Sequence, residues 1–206
     1  MTEFALVVIG SYLIGSIPVG LILGKLKGVD VRQYGSGKTG TTNVLRTIGK
    51  RYAAIALISD VLKGVVAVLM ARYVIGYPMG EMAAAFAAVA GHNWSIYIRF
   101  RGGRGVATSA GAAVTMVPIV VLVGLVAFVV AVGISRYVSL GSLLGALSAA
   151  ASAVVLAVLD RAATEHVIFI CVAVAFIIFQ HHDNISRLLS GTETKLGHKG
   201  EKRQAA

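Results

Sequence analysis

Six apolar stretches, at about 4–23, 52–75, 82–98, 118–134, 138–159 and 165–180, dictate what this chain can become. A helix that crosses lipid needs about 20 mostly apolar residues, and these stretches approach or reach that length one after another. A shorter run, GVATSAGAAVTMV, fills 105–117 and ends at Pro118. Its small residues suit close helix packing in lipid. It reads as a short helix, fourth in order, with a re-entrant segment as the alternative. The expected fold is therefore all-α: one polytopic membrane domain of seven transmembrane helices over 1–190, then a polar tail over 191–206 that need not fold. Composition agrees, at 57% hydrophobic and 14% charged residues, where a soluble domain has roughly 45–50% and about 25%. The start, MTEFALVVIG, carries an acid and no basic n-region, so it reads as a first span and not as a cleaved signal peptide.

Charge placement sets orientation, because positive loops stay in the cytoplasm. Of the 19 Lys and Arg residues, all but Lys63, Arg72 and Arg161 fall in 24–51, in 99–104, at Arg136 or from Arg187 onward. With seven spans all of these lie on one side; with six, the alternation fails from residue 136. The amino terminus is expected outside and the carboxy terminus in the cytoplasm. The net charge of +10 then belongs to cytoplasmic loops facing anionic lipid, and no nucleic-acid partner is needed to explain it. A single cysteine, Cys171, excludes an internal disulfide and any Cys-rich metal site.

The distinctive chemistry sits in three segments on that side, 24–51, 92–109 and 180–193. The first contains YGSGKTGTTNVLR. Its GSGKT resembles the end of a Walker A loop, but neither register supplies G-x-x-x-x-G-K-[ST], and no buried strand precedes it. Phosphate binding survives without a nucleotide. Gly35 and Gly37 free backbone N–H groups to form an anion nest; Ser36, Lys38, Thr41, Thr42 and Asn43 add donors, and Arg46 adds a planar fork suited to phosphate. The second segment contains RGGRGVATS. Gly102, Gly103 and Gly105 stand just before the short fourth helix, whose N-terminus is a ready anion site, and Arg104 reinforces it. The third is FQHHDNISRLLSGTE, in which His181 has the chemistry to accept a proton near neutral pH and Asn184 to orient it. No zinc spacing is present. Asp60 and Lys63 are three apart within a span and share a helix face; they read as an ion pair bracing the site. His92 either lines the site or bonds a neighbouring helix. Ser142 begins the sixth span at the same depth.

Together these segments resemble one family, the bacterial integral-membrane glycerol-3-phosphate acyltransferases that use acyl phosphate as donor. The family patterns GSGNxGxTNxxR, GHxxPxxxxFKGGKGVAT and HRxNIxRLLxGxE stand here as GSGKTGTTNVLR, GHNWSIYIRFRGGRGVAT and HHDNISRLLSGTE. SIP near the start, D-x-x-K-G at 60–64 and RYVSLGS at 136–142 also match. Departures are Lys38 for Asn, Ser95 for Pro, Arg104 for Lys and His182 for Arg. The resemblance implies transfer of a fatty acyl group from acyl phosphate to the 1-hydroxyl of glycerol 3-phosphate, giving lysophosphatidate and phosphate. It implies no metal or cofactor, and a site at the cytoplasmic face of the bacterial inner membrane. Ser36, Arg46, the three glycines, Arg104, His181 and Asn184 carry over as functional, and Glu193 as structural. The soluble enzyme that makes acyl phosphate is a candidate partner.

Acyl phosphate is already an activated anhydride, so the expected work is positioning and charge stabilisation. Loop 35–43 is assigned to the donor's head group; Arg46, Arg104 and the GGRG amides to glycerol 3-phosphate; and His181 to the attacking hydroxyl, as base or as ligand. The acyltransferases built on His-x4-Asp are excluded, since none of the five histidines has Asp five residues on. The competing reading is a membrane transporter of an organic phosphate or other anion.

Overall fold

The structure is a computed structural model that describes residues 1–202. Among these residues it consists of helices, with a single isolated bridge between Tyr34 and Lys202. Helix α1 (Thr2–Ser16) and α2 (Val19–Leu26) form one apolar stretch of 25 residues. It breaks at Ile17–Pro18, where proline lacks the N–H that the helical ladder needs. Then come α3 (Thr41–Ile48), α4 (Lys50–Val74), α5 (Pro78–Asn93), α6 (Val106–Met116), α7 (Pro118–Ser135), α8 (Val138–Val158), α9 (Thr164–Gln180) and α10 (His182–Leu189). Four stretches, Thr2–Leu26, α4, α7 and α8, are long and apolar enough to cross a membrane, and a fifth if α9 and α10, bent by 58°, count as one. Helices α5 and α6, at 16 and 11 residues, are shorter.

Two boundaries differ from expectation. The helix expected over 82–98 runs over Pro78–Asn93. Proline is favoured in the first turn, where its missing N–H costs nothing, and the chain then leaves the helix at Trp94. The second difference is in the tail. Leu196 N donates to Arg136 O (2.7 Å), Gly200 N to Arg46 O (3.0 Å) and Gly35 N to Glu201 O (3.0 Å). These are backbone bonds, which side-chain polarity does not forecast; they hold residues up to Lys202 against the bundle. Positions 203–206 of the expected tail lie outside the described residues.

Small residues set the crossings. A Cβ on Gly64 would strike the backbone of α6, and one on Gly111 the backbone of α4. Gly124 and Gly145 face each other between α7 and α8 in the same way. Without a hydrophobic drive between helices in lipid, such close backbone contact is what packs them. The core between them holds Val68, Ala85, Ala112, Val120 and Phe169. Helix α7 turns Leu122, Leu125, Val126, Val129 and Val130 outward, all more than half exposed, as a lipid-facing surface requires.

A polar clamp ties one end of the bundle. Arg72 grips Glu81 through two bonds (2.8 and 3.0 Å) and donates to Thr115 O (2.8 Å), while His166 Nε2 lies 3.1 Å from Glu81. The ends of α4, α5, α6 and α9 meet there, and the three motif segments gather at the opposite end.

Candidate active site

The site begins with the 34–43 turn. Gly35 and Gly37 both have positive φ, 52° and 70°, which glycine adopts without strain. Asn43, at the start of α3 and buried, organises the turn. Its Nδ2 donates to Val31 O (2.7 Å) and Lys38 O (2.8 Å), and its Oδ1 accepts from Ser36 N (3.1 Å). Asn43 therefore shapes the loop with the atoms that the sequence assigned to substrate. Lys38 N donates to Ser36 Oγ (3.5 Å). The buried hydroxyl of Thr41 has no protein partner, and Thr42 lies half-buried beside it.

The GGRG turn is built from below. Asp60 Oδ1 accepts from Lys63 Nζ (2.6 Å) and lies 3.4 Å from His92 Nδ1, all three side chains being buried. Gly103 N donates to His92 O (3.0 Å), and a Cβ on Gly103 would overlap His92 Nε2. A Cβ on Gly102 would overlap His92 O. The expected ion pair is thus a triad, and His92 carries the turn from beneath. Arg99 and Phe100, just upstream, both have left-handed backbones (φ 55° and 58°), each costing about 1–3 kcal/mol. Gly105 (φ 80°) caps α6 with no side-chain bond to its first turn, so the helix presents free N–H groups.

Glu193 is the hub of the third segment. Its Oε1 accepts from Asn184 Nδ2 (2.9 Å) and Ser139 Oγ (3.1 Å), and its Oε2 from Arg187 Nε (2.7 Å). The hub draws α8, α10 and the tail together. Ser142 spends its hydroxyl on Val138 O (2.9 Å) within α8. Arg46 donates to Thr194 O (2.7 Å). Asn184 Oδ1 and Arg104 Nε are buried without protein partners.

Electrostatically these groups form one cluster. Burial, reinforced by Arg187 and Arg46, pushes Arg104 down to about 10, still protonated at neutral pH. Burial likewise lowers Arg46, with Arg187 adding to it and Glu193 opposing it. Three guanidinium groups against Glu193 and the more distant Asp183 leave a surplus of positive charge. His181, fully buried just beyond α9, is pushed down to about 4 by burial and by Arg104. It is neutral at pH 7. Its Nδ1 bonds Ile177 O at 2.7 Å, which in a neutral ring makes Nδ1 the N–H and leaves the lone pair on Nε2.

The arrangement suits substrates bearing phosphate and a hydroxyl. The glycerol-3-phosphate acyltransferase profile matches residues 5–191. The chain belongs to the glycerol-3-phosphate acyltransferase family. A relative of that name from Thermoanaerobacter pseudethanolicus is 45% identical over 93% of this chain and 94% of its own length. Two crystal structures of PlsY (YgiH), an integral-membrane glycerol 3-phosphate acyltransferase, share the fold. The glycerol 3-phosphate form matches with a TM-score of 0.87 at 36% identity over 94% of this chain and 96% of that one. The lysophosphatidic acid form has a TM-score of 0.84 at 35% identity over 94% and 95%. This acyltransferase is accordingly an integral-membrane protein with several apolar helices.

Sequence reasoning gave no role to Arg187 or Asn93, and placed Ser139 beside Ser142 at the start of the sixth span without its bond to Glu193. Arg187 was visible as a charge at the basic end of α10, without any sign of its partner six residues on. Asn93 stood in GHNW as a polar residue closing an apolar helix.

Proposed function

We propose that this acyltransferase takes its acyl group from acyl phosphate and delivers it to the 1-hydroxyl of glycerol 3-phosphate, producing 1-acyl-glycerol 3-phosphate and inorganic phosphate. The observation that carries the reading is the pairing of two glycine-rich phosphate turns with an arginine cluster at one end of an apolar bundle. In our reading seven helical segments cross the membrane, with the amino terminus outside and the site at the cytoplasmic face. Loop 35–43, with Ser36 and Lys38, receives the donor's phosphate, and Arg46, Arg104 and the GGRG amides hold that of the acceptor. The unpartnered Arg104 Nε, Asn184 Oδ1 and Thr41 hydroxyl are buried groups that substrate oxygens and hydroxyls would satisfy. An apolar groove of about 370 Å³ between α5 and α9 suits the acyl chain.

The chemistry follows from these positions. His181 Nε2 accepts the hydrogen bond of the 1-hydroxyl and aims its oxygen at the acyl carbonyl carbon. A new ester C–O bond forms while the bond from that carbon to the phosphate oxygen breaks. Phosphate leaves with the bonding pair and ends as the carrier of the hydroxyl proton. A ring with a pKa near 4 is a poor terminal proton sink, whereas C–O cleavage frees a strongly basic oxygen on the departing phosphate, and substrate phosphate monoesters themselves have a second pKa of about 6. His181 therefore orients, and phosphate takes the proton.

The donor is tested by incubating purified protein and glycerol 3-phosphate with palmitoyl phosphate, palmitoyl-CoA or palmitoyl-acyl carrier protein. Lysophosphatidate should form from palmitoyl phosphate alone; equal rates with a thioester would refute the donor. Orientation is tested by thiol labelling in a Cys171→Ala background: Tyr77→Cys should react from outside the cell, and Ser190→Cys only after permeabilisation.

A further inference from the structure

We infer that the side-chain amide of Asn93 binds the carbonyl oxygen of the fatty acyl group, an inference that rests on the acyl-transfer reading above. Asn93 is 4% exposed, and neither Oδ1 nor Nδ2 has a protein partner. Buried amides are almost always bonded, because leaving one unpaired costs stability. Asn93 lines the groove between α5 and α9 together with Phe86, Val89, Trp94, Val172 and Phe176. Apart from the indole N–H of Trp94, it is the only polar side chain in that lining. From Phe86 to Asn93 the groove follows α5 for about 10 Å at 1.5 Å per residue. Val172 and Phe176 are more than a third exposed on its outer side, so a lipid chain can enter from the bilayer.

At its polar end the groove meets the phosphate machinery. The nearest atoms to a Cβ on Gly105 would be Oδ1 and Nδ2 of Asn93, and Asn93 directly follows His92, which supports Gly103. The amide therefore stands at the boundary between apolar groove and GGRG turn. In both acyl phosphate and the acylated product, the carbonyl is the group between hydrocarbon and phosphate. Chain in the groove and phosphates on the turns put that carbonyl beside Asn93. Nδ2 then donates to the carbonyl oxygen, which gains negative charge as the hydroxyl oxygen adds to its carbon. A donor already aimed at that oxygen stabilises the transition state more than the ground state.

Asn93→Leu, close in size, separates this role from a structural one. An amide kept for substrate and unpaired in the protein predicts a higher unfolding temperature for Asn93→Leu than for the native protein. It also predicts roughly a 100-fold lower kcat/KM for palmitoyl phosphate, with the KM for glycerol 3-phosphate within about twofold. Unchanged kinetics overturn the inference. So does a lower unfolding temperature with matched losses for both substrates, the pattern of a packing residue. If Asn93→Leu fails to fold, Asn93→Ser is read by the same kinetic criteria. If the native protein makes no lysophosphatidate from palmitoyl phosphate, the acyl-transfer reading has failed, and binding decides the inference. Lysophosphatidate should then raise the unfolding temperature of the native protein and not of Asn93→Leu; equal shifts in both overturn it.

Discussion

Gly103 lies against the Nε2 edge of His92, whose other ring nitrogen is 3.4 Å from Asp60 Oδ1. The GGRG turn is thus seated on His92 and the buried Asp60–Lys63 ion pair, and it fits because Gly103 has no side chain. Gly103→Ala should displace His92 or the turn. Overpacking of this kind costs about 1–3 kcal/mol, and an ångström of misplacement costs roughly 100-fold in rate. Thermal unfolding and initial rates check both; normal activity would mean that the turn tolerates the shift.

The hub at Glu193 predicts a second outcome. Glu193→Gln keeps the shape but removes the charge that Arg187 faces and weakens the acceptor for Asn184 and Ser139. Breaking a fully buried pair costs about 3–5 kcal/mol, but the Arg187 side chain is 37% exposed, which lowers the expected loss to about 1–2 kcal/mol. Unfolding temperature should fall, and activity should fall with it, because Asn184 loses its anchor. A double-mutant cycle with Arg187→Gln should show coupling between the two positions.

Much of this was legible in the sequence. Apolar runs gave the helices, because lipid leaves the backbone no alternative to internal hydrogen bonds. The glycines of GSGKTG and RGGRG marked the turns, since positive φ and close backbone approach both need them. The spacing of Asp60 and Lys63 announced their pairing. That His92 bonds a neighbouring helix was one of its two readings; that its partner is Asp60 was not legible, because the two meet from different helices. Nor was the internal use of Asn43: a donor in a phosphate loop and a donor that shapes such a loop look alike in one dimension. Beyond Glu193 the tail is held by backbone bonds and by Arg46 and Arg136 donating to the carbonyls of Thr194 and Leu196, and the backbone partners carry no residue-specific signal.

His181 makes a pH prediction. The folded protein holds it near 4, whereas an unfolded chain titrates near 6.5. As pH falls through 6.5 the unfolded chain takes up a proton that the folded one does not. The stability associated with neutral His181 is therefore full above about 6.5 and is lost as pH falls toward 4. Unfolding temperatures of the native protein should drop over that window more steeply than those of His181→Gln. If phosphate carries the proton, His181→Gln should be slower yet keep the acid limb of the native rate profile near pH 6. An acid limb near pH 4 in the native profile that His181→Gln removes would make His181 the base.

Arg104 should act on the acceptor. Arg104→Ala is expected to raise the KM for glycerol 3-phosphate roughly 100-fold or more, as loss of a buried charge facing an anion costs about 2–5 kcal/mol. Arg104→Lys keeps the charge without the fork and should recover most of that loss. Steady-state kinetics with each substrate varied in turn decide it; an effect confined to the donor would reassign the arginine.

The most direct measurement follows inorganic phosphate and lysophosphatidate together, from purified protein given palmitoyl phosphate and glycerol 3-phosphate. The account predicts that both products appear in equal amounts and only when both substrates are present. Phosphate released without glycerol 3-phosphate at the same rate, or liposome uptake of glycerol 3-phosphate with no lysophosphatidate formed, would contradict it.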